Sequence, residues 1–202
     1  MKKLVCISGL DGAGKTTQCR LLYEHLLPMN TICYSFGSVD VGKYVNRALI
    51  NFLKKMKLNM NDNQIHLIKS SFYMYFEIKQ LFQNNENHDK IIIMDRYIET
   101  MYAHAQFYGV AHAIITDIFK DIYIKPDFYF FLDLDPTICY KRILQRGKPI
   151  EAHEDLNSLV RLYGYYKNAI EMLKISSIDA NKTFAELHQN IISYMNKNNM
   201  EK

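Results

Sequence analysis

Glycine and proline are scarce in this chain, at 8 and 4 of 202 residues, which disfavours flexible linkers and fibrous repeats. A large excess of charge of one sign is lacking too. The 25 basic and 21 acidic residues leave a net charge of +4, and no basic block of the kind a nucleic-acid binder uses stands out. No stretch approaches the roughly 20 apolar residues of a membrane span. The apolar run after Met1-Lys2-Lys3 is interrupted at Gly9, too early for a secretory signal. Neither nucleic acid nor membrane is therefore an expected partner. The four cysteines, Cys6, Cys19, Cys33 and Cys139, are widely spaced without a metal-ligand pattern. They read as reduced thiols of a cytoplasmic protein. What is abundant is core material: 49% of residues are hydrophobic and 13% aromatic. That excludes disorder and suits one domain spanning 1–202 with a large core.

Apolar runs and helical periods alternate along the chain. Strands are expected at Leu4–Ser8, Thr31–Phe36, Ile91–Met94 ending on Asp95, Phe128–Leu134 and Ile175–Ile178. Helices are expected at Lys15–Leu27, Tyr44–Lys57, Asn63–Gln83, a long region to about Ile122, Thr137–Gln145, Asn157–Leu173 and Thr183–Asn196. Asn84–Asp89 is polar and reads as a loop, and the tail Lys197–Lys202 as a frayed end. Such alternation implies an α/β fold with a five-stranded parallel sheet covered by helices on both faces. Ligands of such sheets bind at the carboxyl ends of the strands.

The motif Gly9-Leu10-Asp11-Gly12-Ala13-Gly14-Lys15-Thr16 falls at such an end and fits G-x-x-x-x-G-K-[ST] without a mismatch. Its glycines let backbone N–H groups point inward at phosphate oxygens, and the following helix adds its positive N-terminus. Lys15 would reach the outer phosphates and the Thr16 hydroxyl would sit on Mg²⁺. A strand before the loop and a helix after it make a chance match improbable.

Further segments extend the pattern. They are Thr17-Gln18 after the loop, Asp95-Arg96-Tyr97, Lys125-Pro126-Asp127 running into Leu132-Asp133-Leu134-Asp135-Pro136, Arg142 to Gly147, and Ile178-Asp179-Ala180. In this order and spacing the chain resembles the thymidylate kinases over nearly its whole length. The resemblance implies a three-layer P-loop kinase fold with a short lid, here about 147–155. It also implies ATP as phosphoryl donor, Mg²⁺, and a nucleoside monophosphate acceptor, dTMP before others. Gly9, Asp11, Gly12, Ala13, Gly14, Lys15, Thr16 and Thr17 would hold the donor phosphates, with Arg142 and Ala180 near the donor base. Asp11, Phe72, Arg96 and Thr100 would face the acceptor. Lys15, Asp95, Arg96 and Arg146 would carry the chemistry, with Thr16 and Asp95 on the metal. Arg suits an acceptor phosphate because its planar fork matches two oxygens. The family forms two-fold dimers through packed helices, which implies a homodimer, with Ala103–Phe119 as one apolar stretch to supply it.

Several segments depart from the family pattern. Tyr34–Gly42 carries neither the usual Arg nor Pro, and Phe72-Tyr73-Met74-Tyr75-Phe76 supplies aromatics without an Arg. Thr100–Ala105 has His104 and Ala105 where the pattern has Tyr and Gln, with Gln106 displaced by one, and the lid Lys148–Glu154 has one Lys. The aromatics could stack a base or pack a core. Asp133 and Asp135 read as a structural turn before Pro136 in preference to a metal pair. A related enzyme acting on a non-standard acceptor, or a nucleotide-binding switch without turnover, remain as alternatives. The Asp95-Arg96 pair argues against the switch, which needs no acceptor clamp.

Overall fold

Every strand of the sheet runs parallel, in the order β2-β3-β1-β4-β5, within the computed structural model, which describes residues 2–35, 42–56, 60–83, 90–147, 149–151 and 153–198. The chain runs β1 (Lys3–Gly9), α1 (Lys15–Leu26), a 3-10 turn at Leu27–Met29, β2 (Thr31–Ser35), α2 (Gly42–Met56), α3 (Asp62–Gln83) and β3 (Ile91–Asp95). It continues through α4 (Ile98–Tyr108), α5 (His112–Phe119), β4 (Phe128–Asp133), α6 (Pro136–Gln145), α7 (Leu156–Leu173), β5 (Ser176–Asp179) and α8 (Phe184–Lys197). Parallel neighbours require crossovers, and the helices provide them, so apolar side chains are needed on both sheet faces. Strand β1 shows this directly. Val5 and Ile7 join Cys19, Leu22 and Leu26 of α1 and Leu187 and Ile191 of α8. Leu4 and Cys6 point the other way, among Leu67 and Ile68 of α3, Met101 of α4 and Ile115 of α5. The alternation is the two-residue period of a strand.

Three expectations are corrected. The long helix to Ile122 is two helices, because Gly109 takes φ +70 and turns its N–H back to the carbonyls of Ala105 and Gln106. That left-handed cap suits glycine and stops a helix. The first helix ends at Leu26, with Pro28 in the tighter turn that follows. Ala103, Ala105, Val110, Ile115, Ile118 and Phe119 are all buried inside the single chain. Those apolar side chains form its own core and are not available to a second copy. Phe36, Lys57, the loop 84–89, Lys148 and Ala152 of the lid and the tail from 199 lie outside the described residues, as does most of the segment between Tyr34 and Gly42.

The aspartates before α6 are structural. The Asp135 carboxylate accepts the Thr137 N–H at 2.7 Å and caps the helix, with Pro136 at its first position. Asp133 accepts from Lys167 Nζ at 2.7 Å and from Tyr163 Oη at 2.7 Å. At α8 a reciprocal cap between Thr183 and Glu186 fixes where Phe184 begins the helix.

Candidate active site

The loop between β1 and α1 closes over its own lysine. Lys15 is buried, and its Nζ donates to Leu10 O at 2.8 Å and lies 3.4 Å from Asp11 Oδ1. Burial, then the neighbouring Arg96 charge, lowers its pKa. Gly12 and Gly14 hold φ +83 and +98. A side chain at Gly12 would put its Cβ 2.4 Å from the Cys139 carbonyl oxygen of α6, so the loop can lie on that helix only with glycine there. Gly9 and Ala13 sit underneath. Gly9 ends β1 against Leu132, and Ala13 is a fully buried core residue.

The end of β3 supplies the next groups. The Thr16 hydroxyl donates to Asp95 Oδ2 at 2.5 Å. Asp95 Oδ1 is buried without a hydrogen-bond partner. Arg96 takes the left-handed conformation, φ +75, with its N–H bonded to Ile7 O at 2.9 Å. A non-glycine residue held there is strained by about 1–3 kcal/mol, a cost tolerated mainly at functional positions. The turn aims the guanidinium back over the sheet. Nη2 grips Asp11 Oδ1, and Nη1 donates to Tyr166 Oη at 3.3 Å. Tyr166 Oη in turn donates to Thr100 Oγ1 at 3.3 Å. Burial opposes the Asp11 charge, yet Arg96, Lys15 and His153 hold its pKa well below the usual carboxylate range. In the first turn of α4, Glu99 is fully buried, accepting from Thr100 Oγ1 at 2.8 Å and from the Tyr129 hydroxyl.

Two cavities meet at Arg96. One, of about 790 Å³, contains the loop from Asp11 to Thr17 together with Asp95, Arg142, Arg146 and Phe184. The other, of about 480 Å³, lies against α3 and α4 and is lined by Leu67, Ser70, Thr100, His104, Tyr108 and the lid residue His153, among others. On α3 the lining residues are Asn63, His66, Leu67 and Ser70, one face at helical spacing.

Most of the expected site residues converge here: Asp11, Gly12, Gly14, Lys15, Thr16, Thr17, Asp95, Arg96, Thr100, Arg142 and Arg146. Two do not. Phe72 is two residues beyond Ser70 and so about 200° around the helix. Its ring stands edge-on to Phe52 at 5.7 Å in the core. Ala180 is buried, its N–H on Asp133 O at 2.9 Å, and the wall expected from it comes from Phe184. The Arg142 guanidinium stands 5.4 Å from the Phe184 ring centre, and its Nη1 donates to Gly12 O at 3.4 Å. Arg146, one turn on, bonds Glu154 across the lid and Pro149 O at 3.3 Å. Phe184, His104, Tyr166 and His153 were not expected. Phe184 had a faint sequence signal, one aromatic after a capping threonine; the others had none.

A buried cation at a phosphate loop, an unpartnered carboxylate oxygen beside a hydroxyl, and an arginine between two cavities suit transfer between two bound phosphates. Comparison with known proteins agrees. The family model described as "Thymidylate kinase" matches residues 7–191. A thymidylate kinase of Schizosaccharomyces pombe is 27% identical over 202 residues, covering 98% of this chain and 93% of its own. One of Thermoanaerobacter sp. is 28% identical, covering 96% and 98%. A probable thymidylate kinase of Archaeoglobus fulgidus is 24% identical, covering 93% and 92%.

Proposed function

The chain belongs to the thymidylate kinase family, and from that premise we propose that it transfers the γ-phosphoryl group of ATP to dTMP, giving dTDP and ADP. It is an ATP-dependent nucleoside monophosphate kinase. One observation carries the reading: a single guanidinium, Arg96, lines both cavities, so a donor phosphate in the loop and an acceptor phosphate beyond it share one positive group.

The steps follow from that arrangement. ATP phosphates enter the loop and take over the Lys15 bond now made to Leu10 O. Arg96 receives the acceptor phosphate as a fork receives two oxygens. An anionic oxygen of that phosphate attacks the γ-phosphorus in line. The bond to the bridging oxygen breaks, and its electron pair leaves with ADP. No general base is needed, since the attacking oxygen is already ionised. Asp11 orients both Arg96 and Lys15. Thr16 and Asp95 fit Mg²⁺, because Asp95 Oδ1 is a buried acceptor without a partner and Mg²⁺ commonly takes one or two protein oxygens besides phosphates and water. When bound, the ion would neutralise charge on the donor phosphates.

The proposal extends to a homodimer, supported by the assembly usual in the resembling family, and to a cytoplasmic location, supported by four free thiols. Among the described residues no helix is long and apolar enough to cross a membrane. Light scattering at tens of micromolar, roughly the range that reveals a stable interface, checks the dimer. The function is tested by assaying a panel of nucleoside monophosphates with ATP and Mg²⁺. We expect dTMP to have the highest kcat/KM. Preference for another monophosphate, or ATP hydrolysis indifferent to all of them, would overturn the reading.

A further inference from the structure

The lid reaches the site through one side chain. Between α6 and α7, Pro149, Ile150 and Glu151 are exposed, while His153 turns inward with 22% of its side chain accessible. The next residue, Glu154, is buried and pinned: it takes the Arg146 guanidinium and the Glu151 N–H at 2.8 Å. His153 is thus delivered from an anchored turn. Its Nε2 lies 3.5 Å from Asp11 Oδ2 and 3.7 Å from Glu151 Oε2. Asp11 Oδ1 is already occupied by Arg96 and lies beside Lys15. One carboxylate of the phosphate loop is therefore shared by cationic groups from the loop helix, the end of β3 and the lid.

The surroundings of the imidazole decide its charge. Facing it are the carboxylates of Asp11 and Glu151, the Arg96 guanidinium, the His104 ring at 5.6 Å and, along the same cavity wall, Tyr108; Tyr166 backs His104. His104 is kept neutral by burial, then by Arg96, so it adds no competing charge. The bond to Asp11 raises the His153 pKa, with burial and Arg96 opposing. Among the described lid residues 149–151 and 153, His153 is the one basic group.

We propose that His153 is the working cation of the lid: its charged imidazole holds the closed lid on Asp11 and presents positive charge where the acceptor phosphate meets the donor, so that transfer slows when the imidazole loses its proton. The proposal rests on the kinase reading above. An arriving phosphate held by Arg96 adds negative charge to the cavity that His153 lines, which favours the charged imidazole further. Once neutral, the ring loses its charge-assisted hold on Asp11, and the Arg146 bonds to Glu154 and Pro149 O that remain tie the lid to α6 and not to the phosphate loop.

The test is the pH dependence of dTMP phosphorylation from about pH 7 to pH 9, a range in which a phosphate monoester, with second pKa about 6, is already doubly ionised. His153→Gln and His153→Lys are compared with wild type, with ATP binding followed by calorimetry to confirm folding. Wild-type kcat should fall as pH rises. His153→Gln, which keeps a hydrogen-bonding group without charge, should be slower at the low end by roughly tenfold or more and flat across the range. His153→Lys should also be flat, because it stays charged. ATP affinity without acceptor should be unchanged in both. A Gln variant with wild-type kcat, or either variant retaining the alkaline fall, would overturn the proposal. Failure of the wild type to phosphorylate any monophosphate would instead overturn the kinase reading.

Discussion

The Thr16 hydroxyl donates to Asp95 Oδ2 at 2.5 Å, joining the first turn of α1 to the last residue of β3 across 79 positions of sequence. Both groups would turn toward Mg²⁺ when it binds. Thr16→Ala should raise the Mg²⁺ concentration for half-maximal rate by about 10-fold or more, as expected for loss of a ligand or its support. Rates titrated against Mg²⁺ at fixed ATP check this, and an unchanged midpoint would place the ion elsewhere.

Lys15→Ala should lower kcat by a factor on the order of 10²–10³, because it deletes a preorganised charge aimed at the transferred group. Circular dichroism should show the fold retained. Near-normal turnover at saturating ATP would remove this loop from catalysis.

Gly12→Ala combines two penalties: a backbone at φ +83 and a Cβ 2.4 Å from Cys139 O. The left-handed conformation alone costs about 1–3 kcal/mol. For a chain of this size the melting temperature should drop by roughly 2–12 °C. Thermal denaturation with and without ATP measures it, and loss of the ATP-induced rise in Tm would show that the loop itself has been displaced.

Arg96 and Arg142 should separate acceptor from donor. Arg96→Ala should remove a bidentate phosphate contact worth about 2–4 kcal/mol, on the order of a thirtyfold to thousandfold loss in kcat/KM for dTMP. ATP binding without acceptor, which keeps Lys15 and the loop, should weaken far less than that. Arg96→Lys should rescue only partly, since a point charge cannot reproduce the fork. Arg142→Ala, beside Phe184, should raise KM for ATP more than for dTMP. If Arg96→Ala weakens ATP binding and spares acceptor kinetics, the two cavities have been assigned the wrong way round.

His104 should shape stability in acid. Burial, then Arg96 and His153, lowers its pKa to about 3, against about 6.5 unfolded. The folded chain therefore binds fewer protons than the unfolded chain between those values. The stability tied to this group is fully present above about pH 6.5 and is lost as pH falls toward 3, at up to ~1.4 kcal/mol per pH unit. His104→Gln should flatten the pH slope of urea midpoints between pH 4 and pH 7 by up to one proton (roughly the contribution of a single group). An unchanged slope would mean that His104 is charged in the fold.

Local signals mark the sheet and most of the residues that line the cavity at the phosphate loop. The loop motif, the Asp95-Arg96 step and Arg142 with Arg146 each sit next to an element boundary that the sequence pattern marks. The acceptor half was harder. Phe72 invites a base because it is aromatic, but helix phase turns it toward Phe52, and the phase is set by tertiary packing. His104, Tyr166 and His153 come from α4, α7 and the lid. They meet because α7 lies along α4 and because buried Glu154 pins the lid. No local pattern encodes such a meeting. Phe184 takes the place expected of Ala180 in the wall of the phosphate-loop cavity for a similar reason: Ala180 is held in the core by its bond to Asp133.

The strand order also bears on how the chain is made. Strand β1 precedes both of its neighbours in the chain, yet it sits between β3 and β4, which are complete only when Asp95 and Asp133 have been synthesised. Until β3 is made, Val5 and Ile7, destined for full burial, have no strand beside them, and until Pro136–Gln145 is made the phosphate loop has no α6 to rest on. Parallel pairing over such distances is slow to form, and apolar strand edges left unpaired meanwhile favour association between chains.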